Sequence, residues 1–394
     1  MPMIIVRVLA AVAKPALLAG GITASAAGGW LAYDQFAPHG NVTPFQQVQS
    51  VGQRLIISEF GDKTDTIVAV DPADVSGART QLATIDHATG FGVFPVLSPD
   101  GKTIAYTALS PGEPRPSPDT PAHAAIIDAD GTVTSLADDV DLLIAPVWSP
   151  DSQSIVVRKN TPLEGGAGSF ELVLLGRDGS RVTLSSWKSA SAFPIAFAPD
   201  GSKLYFATLN NDGTDLYSVG AEGNGETHLG HLSDQIARDW KLSPDGSRIA
   251  YSAAESGSHP AVIARTFDLA SGAMSDAIGA SGLEVGPTAG DVARGEFNPA
   301  WRSDGTLTIS SLKIDGGSDA LAISRGGAAS SLVTNGSGID LPLGWSPDGV
   351  TLAVRSVDGK APNEASASHV ELLRDGARER ISDNADVLIV GWLP

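Results

Sequence analysis

The chain has 394 residues, with 26 basic against 45 acidic side chains and a formal net charge of −19. A surface this acidic repels nucleic-acid phosphates and anionic lipid headgroups, which excludes non-specific nucleic-acid binding and favours basic, neutral or metal-bridged partners. The absence of cysteine excludes disulfides, thiolate metal sites, thiol nucleophiles and lipid attachment at an N-terminal cysteine.

Residues 1–33 contain Arg7 and Lys14 and no acid, and Pro15 to Tyr33 is an uncharged run rich in Ala and Gly. Ala24-Ser25-Ala26 has the small-x-small pattern that a signal peptidase reads. The segment reads either as a cleaved secretory signal or as an uncleaved membrane anchor through residues 3–33, with Trp30 and Tyr33 at the outer interface. Both routes place the rest of the chain outside the cytoplasm. Residues 34–50, with Pro38, Gly40 and Pro44, read as a tether to a domain spanning 51–394.

One phrase recurs along that domain: Leu97-Ser98-Pro99-Asp100-Gly101, Trp148-Ser149-Pro150-Asp151, Phe197-Ala198-Pro199-Asp200-Gly201, Leu242-Ser243-Pro244-Asp245-Gly246 and Trp345-Ser346-Pro347-Asp348-Gly349. A degraded copy is Trp301-Arg302-Ser303-Asp304-Gly305. The aspartates are 51, 49, 45, 59 and 44 residues apart, a period that marks a repeat array. Proline presets φ at the second turn position and glycine accepts positive φ at the fourth, so the phrase predicts a hairpin between two strands. A third strand follows, as in Phe170–Leu175, then an Asp-Gly or Gly-Gly turn and a short fourth strand. Four antiparallel strands per unit is a β-propeller blade.

Six phrases open six units. Residues 53–58, 66–71 and 79–84 then read as second, third and fourth strands lacking a first, and Val387–Pro394 as a first strand lacking the rest. Joining them gives the expected fold: all-β, a seven-bladed propeller of four-stranded blades, closed by the C-terminal strand joining the N-terminal blade. Trp148, Trp301 and Trp345 stand two residues before the turn's proline position, and one bulky ring per unit at a fixed place reads as packing between blades.

Trp-Ser-Pro-Asp-Gly, followed by Ile-Ala-Tyr-x-Ser and later by an apolar strand and an Asp-Gly turn, resembles the propeller repeats of TolB-like proteins. The resemblance covers residues 50–394. It implies a bacterial cell-envelope location and a propeller used as a binding surface for other proteins. The chain departs from TolB itself in two respects: only the tether precedes the propeller, where TolB has an α/β domain, and the count is seven blades rather than six. Similar propellers also occur as caps on serine peptidases, as polysaccharide lyases and in lipoproteins that tune sensor kinases.

Recognition is expected on the face opposite the turns, in the long loops Ser110–His123, Asn160–Ser169, Asp358–Ser368 and the crossing Ser281–Glu296. Around the central funnel, the residues leading each first strand supply the candidate ligand- or partner-binding side chains Asp141, Arg238, Asp239, Arg294, Glu296, Asp340 and Asp386. The turn aspartates read as backbone caps, not an acid ring. Asp128–Gly131 and Asn210–Asp215 read as hairpin turns, since neither has the remaining ligands of a twelve-residue calcium loop. His228 and His231, three apart on an outer strand, are expected to point to opposite faces and share no metal. The sequence holds no Gly-x-Ser-x-Gly elbow and no phosphate-binding glycine loop. No catalytic residue, metal or cofactor is assigned. The expected function is a monomeric, non-enzymatic envelope scaffold that binds a protein partner; the alternatives are a polysaccharide lyase or hydrolase, or a ligand-binding protein, using the funnel.

Overall fold

The computed structural model describes residues 52–393 apart from 118, 162–167, 189, 256–260, 278–293, 313–317, 324–328, 334–337, 359–367 and 383–386. The expectations for residues 1–33, the tether and Asp386 lie outside the described residues. So does most of the loops Asn160–Ser169 and Asp358–Ser368 and of the crossing Ser281–Glu296.

All regular structure among the described residues is strand, and the fold is a β-propeller of antiparallel blades. The first sheet holds β1 (Arg54–Glu59), β2 (Thr64–Val70) and β3 (Thr80–Asp86). The second holds β4 (Val96–Leu97), β5 (Thr103–Ala108), β6 (Ala122–Asp128) and β7 (Val133–Val140), and the third β8 (Val147–Trp148), β9 (Ser154–Thr161), β10 (Ser169–Gly176) and β11 (Arg181–Lys188). The fourth runs β12 (Ser191–Phe197), β13 (Lys203–Asn210), β14 (Gly213–Gly220) and β15 (Thr227–Ser233). The fifth contains β16 (Ala237–Leu242), β17 (Arg248–Glu255), β18 (Ala261–Asp268), β19 (Met274–Asp276), β20 (Arg294–Trp301), β21 (Leu307–Leu312), β22 (Ser318–Ile323) and β23 (Ala329–Val333). The sixth is β24 (Ile339–Trp345), β25 (Leu352–Val357), β26 (Ser368–Arg374) and β27 (Ala377–Ser382). The last strand, β28 (Val387–Leu393), pairs antiparallel with β1, from Arg54↔Leu393 to Glu59↔Val387, and completes the first sheet.

Among the described residues the structure therefore has six blades, not the seven expected. Two repeat units merge because β18 and β20 pair in parallel, Ala261 opposite Arg294 and Val262 opposite Gly295, which makes one eight-stranded sheet. The side chain of Glu296 then extends the link: its fully buried carboxylate accepts the Ala264 N–H at 2.9 Å, where β20 leaves β18.

The recurring phrase folds as its residues dictate. In the first copy, Gly101 N–H donates to Ser98 O at 2.9 Å with Gly101 at φ 70°. The Asp100 carboxylate accepts the Ser98 hydroxyl at 2.6 Å and the Lys102 N–H at 3.0 Å. The same capping recurs at Asp151, Asp245 and Asp348. Ser152 stands where other copies have glycine and still takes φ 61°. Its hydroxyl accepts the Asp100 N–H at 3.2 Å, which offsets part of the strain.

By its contacts the chain divides into two compact units, one running up to residue 206 with 218–226 and β28, the other comprising 207–217 and 227 up to β27. In each, the apolar core lies between successive repeat units. In the first unit Ile56, Leu82, Ile104, Tyr106, Ile127 and Leu393 form one cluster, and Leu109, Ile126, Trp148, Ile155 and Val157 the next. In the second, Ala250, Ala264, Leu307 and Ile309 pack with Trp301. The tryptophans tie successive repeat units, Trp148 and Trp345 between blades as expected and Trp301 within the merged fifth sheet. Trp148 Nε1–H donates to Val96 O at 3.1 Å, Trp301 Nε1–H to Lys241 O at 2.9 Å, and Trp345 Nε1–H to Thr308 Oγ1 at 2.9 Å, each on the preceding repeat unit.

Candidate functional site

In the first unit, Asp141 is committed to Arg158: Nη2 and Nε donate to its Oδ2 at 2.6 and 2.9 Å, and both side chains are more than nine-tenths buried. Arg158 also lies 4.9 Å from the centroids of Phe170 and Phe193.

In the second unit, Asp340 makes a bidentate pair with Arg378, Nη1 to Oδ2 at 2.8 Å and Nη2 to Oδ1 at 2.7 Å. That pair extends through Glu371, which accepts Arg378 Nε–H at 2.7 Å and lies 3.0 Å from His369 Nε2. Asp340 and Glu371 hold the Arg378 guanidinium well above its ordinary pKa. The polar chain thus runs across the blade from β24 to β27, braced by fixed geometry. Glu296 is the buried link described above, and Arg294 opens β20.

Arg238 and Asp239 are different. Arg238 Nε lies 3.6 Å from Asp239 Oδ2. Asp239 takes φ 60° at an irregularity in β16 between Arg238 and Lys241, and Asn298 takes φ 51° at the equivalent irregularity in β20. Burial pushes the Asp239 carboxyl upward, against the pull of Arg238, Lys241 and the Asn298 N–H. A non-glycine residue in the left-handed region stores strain that is found preferentially at functional positions.

The structure corrects the expectation for His228 and His231. Both rings reach the Asp215 carboxylate, His231 Nδ1 at 2.9 Å and His228 Nε2 at 3.3 Å, and His231 Nε2 lies 2.9 Å from Asp234. Strict alternation fails along β15: both histidines are exposed, with half-buried Leu229 and Gly230 between them. The Asp215 hydrogen bond, then Asp234, raises the His231 pKa above its ordinary value. The ion pair's small contribution to stability is thus complete below about pH 6.5, the unfolded value, and fades as pH rises through the raised folded value. An NMR titration should place the His231 midpoint above 6.5 in the native chain, and Asp215→Asn should lower it; an unmoved midpoint would contradict the pairing.

Asp128–Gly131 and Asn210–Asp215 are hairpin turns, closed by Gly131 N–H to Asp128 O at 2.8 Å and capped by Asp212 N–H to Asn210 Oδ1 at 2.7 Å. The loop Ser110–His123 is described except at residue 118 and braces itself. Glu113 N–H donates to Ser110 O at 3.2 Å, Thr120 N–H to Ser117 O at 3.0 Å, and Ser117 N–H to Thr120 Oγ1 at 3.0 Å. Pro114, Arg115, Asp119 and Pro121 stand exposed on it. Its proline content lowers the entropy lost when such a loop is held by a partner.

Sequence reasoning passed over the seams between repeat units at the turn end. There a guanidinium of the chain lies against the neighbouring repeat unit's aromatic ring or polar groups. Arg248 stands 4.9 Å from the Trp301 centroid and Arg302 5.5 Å from that of Trp345. Arg177 donates to Thr103 Oγ1 at 3.0 Å and pairs with Asp128. Comparing equivalent positions of the copies, rather than the shared phrase, was the signal that would have found them.

No protein-family model matches the chain. A curated relative, the TolB homolog of Chlorobium luteolum, is 29% identical over 153 residues, covering 39% of this chain and 31% of the relative. The chain therefore matches under a third of that protein's length. Among solved structures, a prolyl endopeptidase matches with a TM-score of 0.56 at 13% identity, over 85% of this chain and 50% of that one. The β-propeller domain of the trilobed protease from Pyrococcus furiosus matches with a TM-score of 0.51 at 13% identity, over 84% and 94%. At such identities these structures speak for the fold alone. Repeat phrase and blade architecture make the chain a β-propeller repeat protein, and 153 of its residues are similar to a curated TolB homolog.

Proposed function

We propose that the chain is an extracytoplasmic, non-enzymatic scaffold of the cell envelope that binds a protein partner through its loop-rich face. The observation that carries this reading is the loop Ser110–His123, self-braced by hydrogen bonds yet exposed at Pro114, Arg115, Asp119 and Pro121. A rigid scaffold presenting an ordered, proline-rich loop loses little entropy on binding. The likeness to a TolB homolog and the apolar N-terminal run with Arg7 and Lys14 support an exported protein, anchored or released. The test is affinity recovery from envelope extract on immobilised full-length chain, against a variant with residues 111–121 replaced by Gly and Ser. A partner should be recovered and its yield should fall about tenfold with the replacement; equal recovery would refute the reading.

A second reading, ligand binding or catalysis by the residues leading the first strands, is favoured by one observation: the strained Asp239 beside Arg238, with its carboxyl pKa raised. Asp239→Asn would then abolish binding of a metal or small polar ligand by the purified protein, and unchanged binding would refute it.

A further inference from the structure

Ser149, Ser154 and Ala221 line a cleft of about 500 Å³ in the first unit, floored by Leu174 and Phe197 and rimmed by Asp151 and Asp200. Each of those three small residues stands at a repeat position where one other copy carries an arginine: Arg302, Arg248 and Arg177. Ser149 opens its turn as Arg302 opens another, and Ser154 follows five residues later as Arg248 follows Ser243. Ala221 corresponds to Arg177, because the Ala221 N–H donates to Ser202 O as the Arg177 N–H donates to Gln153 O. Phe197 stands where Trp301 and Trp345 receive Arg248 and Arg302. At this seam the aromatic ring is kept and all three arginine positions are small.

The rim suits a guanidinium in charge. Asp304, the counterpart of Asp151, pairs with Arg302. At the cleft, Asp151 Oδ1 accepts the Ser149 hydroxyl and Gln153 N–H, and Asp200 Oδ1 accepts the Ser202 N–H and hydroxyl. These bonds hold both carboxyls below the ordinary carboxylate range, so both are ionised at neutral pH. Lys203, whose charge also acts on Asp200, has its ammonium over the Tyr205 ring at 5.7 Å.

We propose that this cleft is a docking site for an arginine side chain of a partner protein, its guanidinium over Phe197 and against the Asp151 and Asp200 carboxylates. The planar, delocalised guanidinium both stacks on a ring and forks onto carboxylates, as an ammonium does not. The chain's own Arg302, stacked on Trp345 and paired with Asp304, is the internal version of the same contact. The site lies at the turn end of the blades and does not rest on the loop Ser110–His123, so either proposal can fail without the other.

The experiment is saturation-transfer NMR of the full chain with acetyl-Gly-Arg-Gly-amide and its citrulline counterpart at low salt. The arginine peptide should bind, the citrulline peptide about tenfold more weakly. Ala221→Arg and Ser154→Arg, which restore the chain's own guanidinium, should each abolish binding without lowering the melting temperature. Equal binding of the two peptides, undiminished binding to whichever arginine variant folds, or no saturation transfer at about 10 mM peptide would overturn the proposal. Self-association of the native chain that Ala221→Arg abolishes would assign the arginine to a second copy and overturn the partner assignment.

Discussion

Deletion of residues 386–394 should abolish cooperative folding of the N-terminal unit. Its melting transition, followed by circular dichroism, should be lost or fall by tens of degrees. The deleted strand β28 buries Val387, Val390 and Leu393 and covers the edge of β1, where Leu55, Ile56 and Ile57 are fully buried. Three apolar side chains at about 1.5–3 kcal/mol each come to roughly 5–9 kcal/mol, before counting ladder hydrogen bonds left open along β1. A domain's total stability is on the order of 5–15 kcal/mol, so the loss is comparable with the whole. An ordinary C-terminal tail would cost almost nothing. An unchanged melting temperature would show that β28 is not an integral strand of the first blade.

Acid should destabilise the same unit through His123. The ring is buried on β6, with its edge contact to Tyr106 at 5.8 Å between centroids, and burial lowers its pKa to about 4. The unfolded chain binds a proton near pH 6.5, while the folded chain resists it down to about 4. The stability from keeping the ring neutral is therefore complete above about pH 6.5. It is lost progressively as pH falls toward 4, a difference of about 3 kcal/mol. Urea midpoints measured from pH 7 to 4 should fall steeply for the native chain and more gently for His123→Phe, which has nothing to protonate. Parallel curves would show that another group governs the acid limb.

What the sequence revealed and what it concealed follow from the range of the interactions. Turn chemistry is local: Ser98, Asp100 and Gly101 satisfy one another within a few residues, so the hairpins were legible, and so were the strands they join. The ties of Trp148, Trp301 and Trp345 to the preceding repeat unit were legible because a fixed position in a repeat faces a fixed environment. The union of β1 with β28 followed from incomplete copies at the two ends.

The parallel pairing of β18 with β20 was not legible. It pairs Ala261 with Arg294, distant in the chain, which no local pattern encodes, and it reduces seven expected blades to six. His228 and His231 were misassigned because strand alternation was assumed where the exposure of β15 breaks it. Asp141 and Asp340 read as open funnel charges because their partners, Arg158 and Arg378, stand 17 and 38 residues further along. The turn-end cleft was written in Ser149, Ser154 and Ala221, but only as small residues at positions where one other copy each carries arginine, a difference that a search for the shared phrase passes over.

Every comparison between copies rests on the blades being one repeat scaffold whose first and last strands share a sheet. The chain has no cysteine, so one engineered pair tests that claim without background. Ser58 and Leu388 are directly opposed across β1 and β28, within reach of a disulfide. Ser58→Cys with Leu388→Cys should cross-link quantitatively on mild oxidation, shift mobility on a non-reducing gel and raise the melting temperature. Two cysteines that stay free in the folded, oxidised protein would contradict the account.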